Sequence, residues 1–303
     1  MYNALIIGAG QIAGGFDTLT DNYILTHAHA YMKNENINLL GFYDVNFEKS
    51  KQMAKKWNTN AFETLDNIKN VDIVSVCVPD EYHVKTTLEI SKLNPKIIFL
   101  EKPICRNLQD IDILQKINIP ILVNYSRRFS KNFQNLAERI KNNEFGKYQC
   151  GNAFYGKGLI HNGSHMIDLL NLLIGKINNV RFFDSIKDFY KDDITKSAII
   201  TFENGKTLTL NGCNCQNYTI FEFDLMFEKA RIKMLNSGFD IEIYEIVENS
   251  KFNGYKTLNL KEQIKTDLNF AMKNAIDNII NYLEHKQKLN CTLKNGYEAI
   301  MYG

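Results

Sequence analysis

No stretch of this sequence approaches the roughly 20 consecutive apolar residues that a membrane-spanning helix needs, so no membrane partner is expected. An excess of one charge is also lacking: 36 Lys and Arg stand against 34 Asp and Glu, the net charge is +2, and no long basic run occurs. Without a broad positive field, nucleic acid and anionic surfaces are disfavoured as partners. The six cysteines (Cys77, Cys105, Cys150, Cys213, Cys215 and Cys291) are scattered, and Cys213-x-Cys215 has no second pair to complete a four-ligand zinc site. No metal is therefore expected. The opening MYNALIIGAG has no basic leader, and its short apolar run suits a buried strand better than a signal peptide. Reduced thiols and a cytoplasmic location follow as expectations. Internal repeats and low-complexity segments are absent from the pattern as well.

What remains is an ordinary globular composition, 45% hydrophobic and 23% charged, in a chain of 303 residues. That length favours two domains over one large core. In the first part, apolar runs at 3–7, 37–43, 71–78, 96–100 and 119–123 alternate with helix-like stretches at 46–57, 81–93 and 107–117. The alternation predicts an α/β domain over 1–123 built on a doubly wound parallel sheet. After position 150 the pattern changes: one apolar helix at about 164–174 precedes half-buried strands at 197–202, 206–210, 219–227, 230–234 and 239–246. The Asn-Gly of ENGK at 203–206 marks a hairpin between two of them. Helices near 264–285 and 294–302 close the chain. The second domain, 124–303, is thus expected to be α+β with a largely antiparallel open sheet.

Between the first strand and a predicted helix lies LIIGAGQIAGG, which contains Gly8-x-Gly10-x-x-Ala13, a form of the dinucleotide fingerprint of Rossmann domains. Gly8 permits the tight turn, Gly10 lets the backbone approach a pyrophosphate, and Ala13 lets the helix sit close to the strand. Gln11 and Ile12 complete the loop, whose phosphates would lie at a helix N-terminus. Asp44 ends the second strand, where a carboxylate holds the ribose hydroxyls of NAD and repels a 2′-phosphate. No Lys or Arg directly follows it, so NAD is preferred over NADP. The wide spacing to Asp44 is read as an inserted loop, GFDTLTDNYILT.

Three further pieces, VPDEYH after the third strand, FLEKPI after the fourth and GLIHNGSHMIDLL early in the second domain, join the glycine turn in a fixed order. Together they resemble the Gfo/Idh/MocA family of NAD(P)-dependent oxidoreductases over nearly the whole chain. The resemblance implies action on sugars, inositols and related polyols, and subunits paired through the open sheet as a homodimer or homotetramer. It places Lys102 of Glu101-Lys102-Pro103 between nicotinamide and a substrate hydroxyl, and brings His165 to the same hydroxyl. His161 stands where many members have an aspartate.

His161 and His165 are four apart, as in a zinc helix, but Asn162 and Gly163 favour a turn and the glutamate of H-E-x-x-H is missing. With Ser164 or Asn162 as cap, His165 falls in the first turn of its helix, where the dipole favours a neutral imidazole able to accept a proton. Asp168 either orients His165 or caps and solubilises the helix. The expected catalytic set is Lys102, His165 and His161. Pro79 and Glu101 would shape the nicotinamide pocket, whereas His83 reads as a helix-start residue. Arg127, Arg128 and Lys131 in NYSRRFSK, with Asn162, His165 and the weaker candidates Tyr125 and Lys157, are the expected substrate contacts, since Arg forks suit a phosphate or carboxylate; a solvated or domain-linking basic segment is the other reading. The function expected is hydride transfer between NAD and a carbinol or ketone of a sugar, sugar phosphate or nucleotide-sugar. Its rivals are an NAD-retaining epimerase, a C=N reductase, and an inactive dinucleotide-sensing regulator.

Overall fold

The computed structural model describes residues 1–66 and 68–303. Its first sheet has six strands: Tyr2–Ile7 (β1), Ile37–Tyr43 (β2), Asn60–Phe62 (β3), Ile73–Val76 (β4), Ile97–Leu100 (β5) and Ile121–Val123 (β6). They lie in the order β3-β2-β1-β4-β5-β6, all parallel. β4 and β5 are buried at every position, as expected of strands covered on both faces. The order reverses between β1 and β4. Ligands of open parallel sheets bind outside the carboxyl ends of the strands at such a point.

The crossover helices include His27–Met32 (α1), Phe47–Trp57 (α2), His83–Ile90 (α3) and Ile111–Gln115 (α4). Between β1 and α1 the chain makes one wide turn, Gln11–Gly15, and then an irregular segment that is the inserted loop expected from the sequence. Its anchor is Asp17, only 2% exposed. Asp17 Oδ2 accepts from the N–H groups of Leu25 and Thr26 at 2.6 and 3.2 Å and from His29 Nδ1 at 2.9 Å, while Oδ1 accepts from Thr26 Oγ1 at 2.5 Å.

The chain divides into one unit of Met1–Phe129 with Asn269–Met301 and another of Ser130–Leu268 with Tyr302–Gly303. The last helices are set with the first unit and not with the second. Ala271–Leu283 and Leu293–Ile300, which are α7 and α8 in the full count, return to the first unit. Backbone bonds fix them there: Ile24 N–H donates to the Asn269 carbonyl at 2.9 Å, and Val123 N–H to that of Cys291 at 3.1 Å.

The second unit holds Lys131–Lys141 (α5), Tyr148–Tyr155 (β7), Ser164–Leu173 (α6), Ile177–Ile186 (β8), Thr195–Phe202 (β9), Thr207–Gly212 (β10), Phe221–Phe227 (β11), Ala230–Leu235 (β12), Asp240–Glu248 (β13) and Lys256–Lys265 (β14). The sheet order is β14-β13-β12-β11-β7-β10-β9-β8, antiparallel throughout except for the parallel pair β7 and β10. The Asn204-Gly205 turn joins β9 to β10, with Gly205 at φ +77°. Leu169, Leu170 and Leu173 of α6 are buried with Ile200, Leu210, Phe223 and Leu225 of the sheet, and Leu172 is partly buried against the same core. Burial alternates along β11 and β12, so every second residue turns to the other face.

Candidate active site

In the first unit, the residues after the strands converge at the carboxyl edge. Gly8 follows β1 at φ +99°, and a Cβ there would lie 2.6 Å from the Cys77 carbonyl oxygen, so a side chain has no room. Gly10 is different: its backbone is extended (φ −88°, ψ −168°) and an added Cβ would meet no atom within 4 Å. The sequence requires glycine there for no intramolecular reason, which leaves open space over the turn. Ala13 is fully buried, and the Trp57 indole N–H donates to the Gly14 carbonyl at 2.9 Å, docking the turn on α2. Lys56 Nζ reaches the carbonyls of Gly14 and Gly15 at 2.8 and 3.0 Å.

The helix expected after the glycine turn does not form. Gln11–Gly15 is a single wide turn closed by Phe16 N–H on the Gln11 carbonyl. The inserted segment draws the chain away before a second turn forms. A phosphate at this place would meet turn N–H groups, with little of a helix macrodipole behind them.

Asp44 caps the arrangement. Its Oδ2 accepts from Ala9 N–H at 2.8 Å and its Oδ1 from Asn46 N–H at 2.9 Å, so the carboxylate stands beside the glycine turn. A cleft of about 470 Å³ opens at this point, lined among others by Gly8, Asp44, Val45, Val78, Pro79 and Tyr82. The volume is in the range of small-molecule and cofactor sites. Lys49 lines it too, a cation that the sequence did not bring next to Asp44 because it comes from the first turn of α2.

Glu101 follows β5 and is 7% exposed. Its Oε1 is bonded to His27 Nε2 at 2.9 Å and accepts from Asn124 Nδ2 at 2.6 Å. His27 Nδ1 is 2.8 Å from Ser75 Oγ, itself 2.6 Å from Tyr31 OH. Burial pushes the Glu101 carboxyl up, but the bonds from His27 and Asn124 and the Lys102 charge outweigh it and hold the group below its ordinary value. Glu101 therefore braces the base of the loop that carries half-buried Lys102. His83 does begin α3; it is buried, with Nδ1 2.6 Å from the Pro103 carbonyl and Nε2 3.0 Å from that of Val78. It ties the VPD and EKP loops together. Tyr125 and Arg128 are buried and Arg127 is half-buried, in and beside the turn Ser126–Phe129.

In the second unit, Gly158–Gly163 forms a wide helical turn that runs directly into α6. Neither expected cap forms. Ser164 Oγ donates back to the Ile160 carbonyl at 2.5 Å, and Asn162 Nδ2 donates to the Gly156 carbonyl at 2.8 Å. The preceding turn occupies the place where a cap would act, so Asn162 has a structural task within it. His165 is half-buried in the first turn of α6, its ring edge-on to Phe221 at 6.5 Å between centroids, and Asp168 is buried. His161 Nδ1 lies 2.6 Å from Asp193 Oδ2, and its ring stacks on Tyr190 at 3.9 Å. Lys157, at φ +63°, places its Nζ 5.1 Å from the Phe189 ring centroid. Lys131 begins α5, where its N–H donates to Asp267 Oδ2 at 3.1 Å.

With these positions in view, residues 2–118 match the model of an oxidoreductase family with an NAD-binding Rossmann fold, the Gfo/Idh/MocA family. That match lies within the first unit and covers well under half of the chain. Myo-inositol 2-dehydrogenase of Thermotoga maritima is 29% identical over 118 residues, 36% of this chain and 35% of the relative. The match thus spans about a third of that protein. Over 99% of this chain and 94% of the other, the structure superposes on UDP-N-acetylglucosamine 3-dehydrogenase of Acidithiobacillus ferrooxidans with a TM-score of 0.79 at 18% identity. A Bordetella pertussis dehydrogenase solved with NADH and UDP-GlcNAcA gives a TM-score of 0.76 at 15% identity, covering 98% of this chain and 92% of that one. At these identities the superpositions show that the two-sheet fold is shared. Among the described residues no helix is long and apolar enough to cross a membrane.

The first unit fits NAD on its own geometry: open space over Gly10, a carboxylate at the end of β2 and a cleft beside it. Asp193, Tyr190, Lys49 and the residues behind Glu101 were not found from the sequence. Asp193 lies 32 residues from its partner in DFYKDDIT, where it resembles any solvated acid. His27 sits in an apolar-flanked helix start with nothing to distinguish it from a core histidine.

Proposed function

We propose that this chain is an NAD-dependent oxidoreductase that moves hydride between nicotinamide and a carbinol or ketone carbon of a sugar-type substrate, whether free sugar, sugar phosphate or nucleotide-sugar. The observation that carries the reading is the pairing of Ala9 N–H with Asp44 Oδ2 at 2.8 Å beside the open space over Gly10. That arrangement suits a ribose diol followed by a pyrophosphate. Gly8, Gly10, Gln11, Ile12, Ala13, Asp44 and Pro79 would hold the cofactor. Bound NAD supplies a hydride acceptor at nicotinamide C4.

The remaining work falls to this chain's side chains. Lys102, braced through Glu101, stabilises the oxygen that becomes negatively charged as its proton leaves, a preorganised charge of the kind that is often the largest catalytic term. An imidazole of the second unit, His165 or His161, takes that proton in oxidation and returns it in reduction. Arg127, Arg128, Tyr125 and Asn162 are the proposed substrate contacts, and the alternating outer face of the second sheet is the proposed surface for pairing subunits.

A panel of inositols, free sugars, sugar phosphates and nucleotide-sugars, followed by NADH absorbance, tests the reading. At least one class should reduce NAD. NAD binding with no reduction by any member would contradict it, and NAD absorbance carried through purification would favour an epimerase instead.

A further inference from the structure

We propose that Asp193 is a positioning residue for this reaction: it holds the His161 imidazole in the tautomer that presents a lone pair at Nε2, making His161 a proton acceptor for the substrate hydroxyl. The proposal rests on the oxidoreductase reading above.

Asp193 Oδ2 is 2.6 Å from His161 Nδ1 and accepts from His161 N–H at 2.8 Å. Ile160 N–H lies 3.0 and 3.1 Å from its two oxygens. An ionised carboxylate accepts and cannot donate, so Nδ1 must carry the proton and a neutral ring then has its lone pair at Nε2. Burial would raise the Asp193 carboxyl, but the bonds from the His161 ring and from the two backbone N–H groups keep it below its ordinary value, which favours the ionised form.

The ring's rotation is fixed as well. Histidine's outer torsion is broad and roughly two-fold, but Tyr190 stacks on His161 with centroids 3.9 Å apart and planes 14° from parallel. The backbone beneath is held by a second carboxylate: Asp188 accepts from Lys157 N–H at 2.6 Å and from Thr195 Oγ1 at 2.8 Å, and Thr195 Oγ1 accepts from Gly158 N–H at 2.8 Å. Gly158, at φ +81°, approaches so closely that a Cβ would collide with the Asp193 carboxylate. The His161 side chain retains 16% of its exposure against 5% for Asp193, so the bonded edge is inside and part of the ring reaches the surface.

A carboxylate that served only to shape the turn would need the backbone N–H groups alone. Here the ring bond is the shortest of the set. In the step assigned to His161, the substrate O–H bond breaks and its proton joins Nε2, while the carbinol C–H bond breaks, its hydrogen and two electrons leaving as the hydride that bound NAD would accept, and the C=O bond forms.

The test uses the full chain with NAD and the panel member that gives NADH. His161→Asn and Asp193→Asn should each lower kcat about 100-fold or more, with NAD affinity unchanged. The double variant should be no slower than His161→Asn, because Asp193 acts through that ring. Losses that multiply in the double variant, or wild-type kcat in Asp193→Asn, overturn the proposal. Nitrogen-15 NMR of histidine-labelled wild-type protein, which needs no substrate, should show the Nδ1–H tautomer at His161, lost in Asp193→Asn. An Nε2–H tautomer in the wild type overturns the proposal at any activity. Absence of turnover with every panel member overturns the oxidoreductase reading and the catalytic role together, and the NMR result then separates a wrong tautomer from a wrong reaction.

Discussion

Replacing Gly10 by alanine separates what the fold needs from what a cofactor needs. The residue has an extended backbone that alanine adopts, and its new methyl would meet nothing within 4 Å. Stability should therefore hold within about 1 kcal/mol, with a small gain from the less flexible unfolded chain. The same methyl would occupy the space assigned to the pyrophosphate, and displacing a ligand by one carbon costs about 1–3 kcal/mol, or about 5–150-fold in Kd. Gly8→Ala is the contrasting control. Its φ of +99° costs about 1–3 kcal/mol for a side-chain-bearing residue. A carbonyl oxygen at 2.6 Å adds overpacking of about 1–3 kcal/mol. Gly8→Ala should melt several degrees lower. Calorimetric titration with NAD and thermal melting of both variants give the answer. Wild-type NAD affinity in Gly10→Ala would refute the placement of the cofactor, a melting loss of several degrees there would refute the open space, and an undisturbed Gly8→Ala would refute the turn.

Glu101→Gln should cost about 2–4 kcal/mol at pH 7 by weakening the buried bonds to His27 and Asn124. Because the folded carboxyl sits below its ordinary value, the stability it contributes is full above the unfolded pKa of about 4.3 and is lost as pH falls through the folded one. The melting gap to the wild type should narrow as pH falls below about 4.3, and a constant gap contradicts the assignment. Asp17→Ala should orphan four donors, three of them in buried bonds, and cost about 3–5 kcal/mol, with the segment around Thr18–Tyr23 becoming susceptible to limited proteolysis; unchanged resistance would contradict its anchoring role. His165→Asn should lower kcat about 100-fold or more at unchanged NAD affinity, and wild-type turnover would remove it from the mechanism.

The parts of the fold that were legible in the sequence are those with strong, local patterns. Buried parallel strands such as β5 are continuous apolar runs, and Asn204-Gly205 marked its hairpin directly. β8 and β14 escaped because they are the two edges of their sheet, with largely exposed residues and no clean alternation. β7 escaped because Gly151 and polar neighbours break its apolar run, although it lies inside the sheet. The glycine turn, Asp44 and the Glu101-Lys102-Pro103 loop could be placed because each follows directly on an apolar strand, a local pattern. Asp193 and His27 did not, since their meaning depends on partners 32 and 74 residues away. The return of α7 and α8 to the first unit rests likewise on long-range backbone bonds, such as that of Val123 to Cys291.

The central claim is that Lys102 stabilises the reacting oxygen while NAD is held by separate residues. NADH formation by Lys102→Met at saturating NAD, beside the wild type and with the NAD dissociation constant determined on the same samples, tests it most directly. The account predicts wild-type NAD affinity with NADH formation reduced about 100-fold or more; turnover equal to that of the wild type would contradict it.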